Sequence, residues 1–443
     1  MRLNRFERVT YIKPPALPWV LTMQIPGNKS AHLTYCLNIH PGERWEDNRE
    51  AIRTHALAVR DRVARGKPFG LGLRLANVAA RTLSDEKTLT AFRRLLEEHD
   101  LYVFTVNGFP YGPFHGTTVK ADVYRPDWRE PERLQYTVAL VDILAALLPD
   151  GIDGSISTVP GSYAAWITEK SHREAIVRNL AAVAWHCHRV HGRTGREIHL
   201  GLEPEPDCLL ERTGDVIAFF NRELIPDGST WLVRQKGCSR TEAEALLRRH
   251  IGVCFDTCHL AVQFEDLENS LARLGREGVR ISKMQISAAI RTEATAASME
   301  QLKAFIDPVY LHQIRSRPLA GGQIMAYPDL TESLLAATAQ LKMGGTADGR
   351  RPVPPKLPCE GGWTPIPEWK EDSCSNSPDG ESGMNVLSSS PICVHLRSSA
   401  VGSSPGQHGS GLERPHAGME WRIHFHVPLY IGEYGSLYST GST

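Results

Sequence analysis

The chain has 443 residues, of which 41% are hydrophobic and 23% are charged. This length is enough for one (β/α)₈ domain with appendages or for two ordinary domains. Fifty Lys and Arg residues balance fifty Asp and Glu residues, so the basic surplus that neutralises nucleic-acid phosphates is missing, and no nucleic-acid partner is expected. The sequence also lacks an apolar run of about 18 residues, which predicts a cytoplasmic protein without a membrane span.

The first 30 residues are predicted to form an irregular extension. Basic residues and Pro14, Pro15 and Pro18 interrupt the apolar core that a signal peptide requires. The nine cysteines are odd in number and include no second pair downstream of Cys254 and Cys258, so a four-cysteine zinc site is not indicated. We therefore expect buried thiols that pack like small apolar side chains.

From residue 31 to residue 342, short apolar runs alternate with segments of helical periodicity, such as the one that contains Leu89, Phe92 and Leu96. This alternation is typical of βα units around a parallel sheet. The seven candidate strands are Leu33–Ile39, Phe69–Leu75, Leu101–Asn107, Gly154–Val159, Ile198–Glu203, Gly252–Asp256 and Ile281–Ser287. The predicted fold is an α/β protein with a (β/α)₈ TIM barrel, because a doubly wound sheet would require a glycine-rich loop that Asn38–Glu43 does not provide.

Residues 343–418 change sharply in composition to Gly, Ser and Pro without periodicity, and they are predicted to be a disordered insertion. Strand character returns at Trp421–Pro428. Residues 419–443 are therefore predicted to hold a late barrel strand and the C-terminal end. The barrel is expected to be interrupted, and incomplete, near its close.

The functional groups of a TIM barrel lie at the C-terminal ends of its strands. The fifth candidate strand ends at Glu203, and the prolines on either side of Glu205 end the ladder there, which makes Glu203 the better ligand candidate. The sixth strand ends at Asp256, and His259 follows three residues later. A carboxylate and an imidazole on one loop form half of a divalent-metal site, for which Mn, Mg, Zn and Fe remain open.

Two later strands carry further candidates. Gln285 lies on the polar face of the seventh strand, where it could complete the metal shell or hold a substrate hydroxyl group. His424 and His426 alternate along the last strand, so both imidazoles point into the same volume, a geometry that metal sites and general bases both use. We predict His426 as a metal ligand, and Glu203, His259 and His424 as catalytic groups.

Polar side chains at the upstream strand ends belong to the same predicted mouth. Asn107, Tyr111 and His115 could bind a sugar-like ligand. Arg125 could clamp a phosphate or carboxylate group, or it could form a surface salt bridge with Asp127. The predicted substrate-binding residues are His40, Arg74, Asn107, Tyr111, His115 and Arg125.

In order and spacing, several segments resemble the EboE family of metabolite traffic proteins, which belongs to the xylose-isomerase-like TIM barrels. The resemblance extends from about residue 32 to residue 341 and again from Trp421. The segments are LTYCLNIHPGE, FGLGLRL, LYVFTVNGFPYGPFH, VYRPDW, GSISTVP, LEPEP, GVCFDTCH, KMQIS and WRIHFHVPLY.

The resemblance implies a divalent-metal shell at the barrel mouth. The superfamily places a Glu after strand five, Asp-x-x-His after strand six, and His or Gln after strand seven. The corresponding residues here are Glu203, Asp256 with His259, and Gln285, while His424 and His426 match the later histidine-bearing segment. The resembled family continues to a further strand with a Glu-rich end, whereas this sequence ends at Thr443, so the shell is expected to lack its last carboxylate.

Three functions remain open from the sequence. The resemblance favours a metal-dependent isomerase or epimerase that acts on a small oxygen-rich metabolite, in a metabolite-handling or export pathway with a membrane prenyltransferase-like partner. A non-catalytic metabolite-binding or traffic protein would use the same mouth. Phosphodiester hydrolysis, as in the apurinic endonuclease of the superfamily, is disfavoured by the zero net charge.

Overall fold

The computed structural model describes residues 23–25, 28–112, 120–343 and 418–442. His115, most of the predicted N-terminal extension and nearly all of the predicted insertion at 343–418 lie outside these ranges. A short hairpin, formed by β1 (Gln24–Ile25) and β2 (Asn28–His32), precedes the main sheet.

The main sheet has seven parallel strands in the same order as in the sequence. Successive βα units with short connections produce this order. The strands are β3 (Tyr35–Cys36), β4 (Phe69–Arg74), β5 (Leu101–Asn107), β6 (Gly154–Thr158), β7 (Ile198–Leu202), β8 (Ile251–Asp256) and β9 (Arg280–Gln285). All seven predicted strands are thus present, although the first is short because a 3₁₀ turn follows it directly.

The parallel sheet is curled. In a flat sheet, β6 and β9 would lie about 14 Å apart, because two strands separate them and adjacent strands are about 4.8 Å apart. Nζ of Lys283 on β9 nevertheless donates a hydrogen bond to Oγ of Ser157 on β6 over 3.4 Å. Strands β3 and β9 are the edges, so the described residues form a TIM-barrel-like sheet without an eighth parallel strand.

The connections between the parallel strands are largely helical. The α-helices of the described residues are α1 (Trp45–Ala51), α2 (Leu57–Val63), α3 (Asn77–Leu83), α4 (Glu86–Glu98), α5 (Pro131–Leu147), α6 (Lys170–Thr194), α7 (Thr213–Phe219), α8 (Ile225–Lys236), α9 (Arg240–His250), α10 (Thr257–Val262), α11 (Leu267–Arg276), α12 (Ala296–Leu302) and α13 (Glu332–Met343). Every residue of β4, β6, β7 and β8 is buried, as expected of strands that are covered on both faces.

The helix ends follow from local sequence. Pro131 occupies the first turn of α5, where an N–H would have no helical partner. Gly195 ends α6 with a φ of 70°, which glycine adopts without steric cost. Ser239 and Glu242 form a capping box at the start of α9. Among the described helices, none has both the length and the apolar character of a membrane span.

A second sheet, which is antiparallel, follows β9. Its strands are β10 (Ala288–Glu293), β11 (Ile314–Pro318), β12 (Met325–Tyr327), β13 (Met419–Val427), β14 (Glu433–Tyr434) and β15 (Leu437–Ser439). In space their order is β12-β11-β13-β10-β15-β14, and β13 pairs antiparallel with both β10 and β11. The segment predicted as a late barrel strand therefore lies outside the parallel sheet. The sequence could not show this, because alternating side chains identify a strand but neither its partner nor its direction.

The second sheet lies against the carboxyl edge of the parallel sheet. Arg315 on β11 is 1% exposed and donates to Asp207, in the loop after β7, over 2.6 Å. Arg422 on β13 donates to the carbonyl oxygen of Ala261, in the helix after β8, over 2.7 Å. The sheet also has an apolar cluster of its own, which includes Ile290, Ile314, Trp421, Ile423 and Leu437. Side chains of β13 can therefore reach the loops where the predicted site residues lie.

Candidate metal centre

Glu203 directly follows β7, where the proline at the next position ends the strand because it has no N–H to donate. Its side chain is buried, with a relative exposure of 5%. Oε1 accepts a hydrogen bond from Nε2 of Gln285 over 2.6 Å. Oε2 is buried and has no hydrogen-bond partner among the described residues. One oxygen of this carboxyl group is therefore held, and the other is open to a ligand or a proton.

Asp256 ends β8 and caps the N-terminus of α10. Its Oδ1 atom accepts hydrogen bonds from the backbone N–H groups of Cys258 and His259, at 2.8 and 3.3 Å, and from Oγ of Ser287 at 2.6 Å. Its Oδ2 atom accepts from Nε2 of Gln285 over 2.9 Å. These donors stabilise the ionised carboxylate in a buried place.

The amide nitrogen of Gln285 therefore connects the two carboxyl groups. An amide nitrogen donates hydrogen bonds and does not ligate a cation, so Gln285 acts here as a donor between Glu203 and Asp256. We predicted it as a metal ligand or a hydroxyl-binding group, and the structure places it at the carboxylates with its nitrogen towards them.

His259 lies in the first turn of α10, three residues after Asp256. Its Nδ1 atom donates to the carbonyl oxygen of Pro204 over 2.9 Å, which leaves a lone pair on Nε2 in the neutral ring. Nε2 is 3.4 Å from Nε2 of His426 and 3.9 Å from Oδ2 of Asp256. Two imidazole nitrogens on one tetrahedral zinc ion would lie about 3.3 Å apart, given Zn–N bonds of about 2.0–2.1 Å.

Three groups of donor atoms lie close enough to hold a metal ion, with every atom within 4.8 Å of the others in its group. The first consists of Asp256, His259 and His426, the second of Glu205, His259 and His424, and the third of Cys258, His424 and His426. Glu203, a predicted ligand, belongs to none of these groups of described residues. The imidazoles of β13 thus meet the loops after β7 and β8.

Glu205 and Cys258 contribute more to these groups than the sequence suggested. Glu205 is buried and accepts a hydrogen bond from the hydroxyl group of Tyr124 over 2.8 Å. Cys258 has a buried thiol, as expected. The pattern Glu-Pro-Glu-Pro could have indicated Glu205 as a site residue, because both carboxyl groups follow the same strand.

Burial dominates the protonation equilibria of the site. Burial and, as the second cause, the negative charge of Asp256 raise the pKa of Glu203 to about 8. Burial also raises the pKa of Glu205 well above its usual range. Burial lowers the pKa of His259 to about 4, so this imidazole is neutral at pH 7 and can ligate a metal ion.

Asp256 differs from Glu203. Burial acts to raise the pKa of Asp256, but His259, His426 and the hydrogen bond from Ser287 outweigh it, and the pKa is lowered. Two adjacent carboxyl groups therefore titrate in opposite directions from their ordinary values. Such a division assigns one group to hold charge and the other to exchange a proton.

Two of the predicted substrate-binding residues stabilise loops after the first strands. Arg74, at the end of β4, is buried and donates to the carbonyl oxygen of Gly42 over 2.8 Å and to Glu43 over 2.6 Å. His40 lies 2.7 Å from the hydroxyl group of Tyr35, and its ring stacks on His55.

The other three described candidates have separate roles. Oδ1 of Asn107 accepts from the backbone N–H of Phe109 and so shapes the loop after β5. The ring of Tyr111 packs edge-on against Tyr136. Arg125 is exposed, pairs with Asp122 over 3.1 Å and lies over the ring of Trp166, so its salt-bridge partner is Asp122 and not the alternative Asp127.

The fold and the site together define an α/β protein with a curled parallel sheet and metal-type donors at its carboxyl edge. No family model and no curated protein matches the chain. Thirty-eight chains of solved structures match, among them a crystal structure of the IolI protein with a binding zinc atom. That match has 13% sequence identity and a TM-score of 0.33, over 58% of this chain and 73% of that chain. At these values neither fold nor ligand can be transferred from one chain to the other.

Proposed function

We propose that the chain is a metal-dependent isomerase or epimerase of the xylose-isomerase-like kind, acting on a small oxygen-rich metabolite. One observation carries the proposal. A buried carboxyl group with an unpaired oxygen, Glu203, lies beside a group of metal-type donors formed by Asp256, His259 and His426. Reactions that move a proton on carbon next to an oxygen need both a base and a group that stabilises negative charge on that oxygen.

The donor set fits a divalent cation. Asp256, His259 and His426 offer one carboxylate and two imidazoles. Burial favours the neutral form of His259, and the hydrogen bond from Nδ1 to Pro204 leaves the lone pair of that form on Nε2. A mixed set of this kind suits Zn, Fe and Mn better than Mg or Ca, which prefer oxygen ligands alone. A bound cation would supply Lewis-acid stabilisation of a substrate carbonyl or hydroxyl oxygen.

Glu203 would carry the proton. Its pKa of about 8 lies near neutral pH, where a carboxyl group can both accept and return a proton efficiently. Oε2, which lacks a partner among the described residues, is the atom that would take the proton from the substrate carbon. Gln285 keeps Oε1 in place during the transfer, because its amide also holds Asp256.

The test is exchange of carbon-bound hydrogen with solvent. Wild-type protein loaded with Zn²⁺, Mn²⁺ or Fe²⁺ would be incubated with a panel of short ketoses in D₂O, and deuterium incorporation would be followed by NMR. We expect incorporation at the carbon next to the carbonyl group, and a loss of roughly 100-fold or more in Glu203→Gln, in line with the contribution of a general base.

Glu223→Gln serves as the matched control, since Glu223 pairs with Arg173 on α6 and belongs to none of the donor groups of the site, and it should exchange at the wild-type rate. Absence of exchange from every ketose with metal-loaded wild-type protein would contradict the enzyme proposal. Ligand binding without exchange would favour the alternative, a non-catalytic metabolite-binding protein.

We also propose a family and a pathway for the chain. Membership of the EboE family, with a role in metabolite traffic and a membrane prenyltransferase-like pathway partner, is supported by the order of the sequence segments described above. Co-purification of the tagged chain with such a partner from detergent-solubilised cells would support it, and recovery of the chain alone would count against it.

A further inference from the structure

A hydrogen-bonded chain of four side chains connects two members of the donor groups. Nδ1 of His424 and Oε1 of Gln313 are 2.8 Å apart. Nε2 of Gln313 donates to the carbonyl oxygen of Pro206 over 3.2 Å and to the hydroxyl group of Tyr124 over 3.3 Å. The hydroxyl group of Tyr124 donates in turn to Oε1 of Glu205 over 2.8 Å.

The direction of each hydrogen bond in this chain follows from Pro206. A carbonyl oxygen can only accept, so the NH₂ group of Gln313 must face it, and Oε1 must face His424. Nδ1 of His424 then has to carry the proton, and Nε2 keeps the lone pair. The tautomer of His424 is therefore set by a backbone atom in the loop after β7.

The direction of the hydrogen bonds is also fixed at Tyr124 and Glu205, the other end of the chain of side chains. Because Gln313 donates to the hydroxyl oxygen of Tyr124, the single proton of that hydroxyl group is free to be donated to Glu205. Gln313 and Tyr124 are both fully buried. The backbone N–H of His424 also donates to the carbonyl oxygen of Gln313 over 2.9 Å, which keeps the two residues opposite each other.

We propose that Gln313 is a positioning residue that fixes the tautomer of His424 and, through Tyr124, the orientation of Glu205. The proposal rests on the proposed metal-dependent function, with His424 and Glu205 holding the cation through the donor group that they form with His259. The carbonyl oxygen of Pro204 fixes the tautomer of His259 directly, and that of Pro206 fixes the tautomer of His424 through Gln313. The prolines on either side of Glu205 therefore orient two imidazoles of the site. Outer partners of this kind hold ligands in the geometry that a cation requires.

The first test measures the tautomer without metal. Histidine side-chain ¹⁵N spectra of the metal-free protein should show His424 protonated at Nδ1. In Gln313→Met, which keeps the volume but removes both polar atoms, we expect His424 to shift to the Nε2-protonated form or to an average of the two. Asn179→Leu is the control, because it removes another buried amide hydrogen bond, to the carbonyl oxygen of Trp128, and should leave the His424 signals unchanged.

The second test measures Zn²⁺ binding by calorimetry. We expect affinity to fall roughly 10–100-fold in Gln313→Met, the range typical of lost outer partners, and to stay at the wild-type value in Asn179→Leu. If Gln313→Met does not fold, Tyr124→Phe replaces it, since this change removes the contacts of the hydroxyl group with Glu205, Gln313 and Cys208. Tyr124→Phe should weaken Zn²⁺ binding while His424 stays protonated at Nδ1.

Two results would overturn the positioning role: an Nδ1-protonated His424 in folded Gln313→Met, or wild-type Zn²⁺ affinity in both variants. If wild-type protein binds no Zn²⁺, the proposed function fails. The tautomer measurement still decides the role of Gln313 in that case.

Discussion

A single amide nitrogen, on Gln285, holds the two carboxyl groups at the centre of the site. Burial and the charge of Asp256 raise the pKa of Glu203, while the hydrogen bond from Gln285 acts against this increase. The contrast between a protonatable Glu203 and an ionised Asp256 thus depends mainly on neighbouring charges, since His259 and His426 lower the pKa of Asp256, whereas Asp256 raises that of Glu203.

Replacing Gln285 should change the pKa of Glu203. In Gln285→Leu the amide donor is lost, so we expect the pKa of Glu203 to rise above the value of about 8 in the wild-type chain. Carboxyl ¹³C chemical shifts of the metal-free protein, followed against pH, would give both midpoints.

Gln301→Leu is the control, because Gln301 bonds to Ser436 in the second sheet, and its Glu203 midpoint should equal that of the wild type. A Glu203 midpoint that stays the same or falls in Gln285→Leu would show that the amide does not stabilise the carboxylate.

Part of this site could be predicted from the sequence. Residues at strand ends can be predicted, because parallel strands end at one edge, and the structure brings Glu203, Asp256 and His259 together there. The contributions of Tyr124 and Gln313 could not be predicted, since each depends on a tertiary contact with a segment far away in the sequence.

At the scale of the elements, the opposite edge of the parallel sheet carries a network of ion pairs. Glu197, just before β7, accepts from Arg249 over 2.6 Å and also pairs with Arg280. Arg280 in turn pairs with Asp153 over 2.8 Å. Burial acts to raise the pKa of Glu197, but the hydrogen bonds from the two arginines outweigh it and lower the pKa to about 2.

This lowered pKa predicts a pH-dependent contribution to stability. The contribution is complete above the unfolded-state pKa of 4.5 and is lost as the pH falls towards the folded-state value of about 2. Glu197→Gln should therefore lower the free energy of unfolding at pH 7 by on the order of 1–2 kcal/mol, and the difference from wild type should shrink below pH 4.5.

Urea unfolding at a series of pH values would measure this difference. Asp61→Asn, which removes an exposed partner of Arg60, should have little effect at any pH. A difference between Glu197→Gln and wild type that does not change with pH would contradict the ion-pair explanation.

The strands themselves show how far periodicity leads. Leu101–Asn107 has the predicted bounds, and the other parallel strands after the first differ by one or two residues at their ends. The sequence pattern predicts β13 as a strand but in the parallel sheet, whereas it lies in the antiparallel one. Its partners β10 and β11 precede residues 343–418 in the sequence, and a local pattern contains no information about such distant pairing.

At the scale of the whole molecule, the site belongs to neither sheet alone. The end of β8 and the helix that follows it supply Asp256 and His259, and β13 of the antiparallel sheet supplies His424 and His426. Arg315 connects the two through buried ion pairs with Asp207 and Glu211. His424, His426 and Glu205 lie close to His259 in this arrangement.

The most direct test of the metal centre is a Zn²⁺ titration by calorimetry of the wild-type chain, His259→Ala, His426→Ala and His55→Ala. His55 stacks on His40 at the first loop and serves as the control for a lost imidazole. We expect one equivalent of Zn²⁺ in the wild-type chain and in His55→Ala, abolished binding in His259→Ala and weakened binding in His426→Ala. Undiminished binding in both site variants, or no binding of Zn²⁺, Mn²⁺ or Fe²⁺ to the wild-type chain, would contradict a metal centre built from the two sheets.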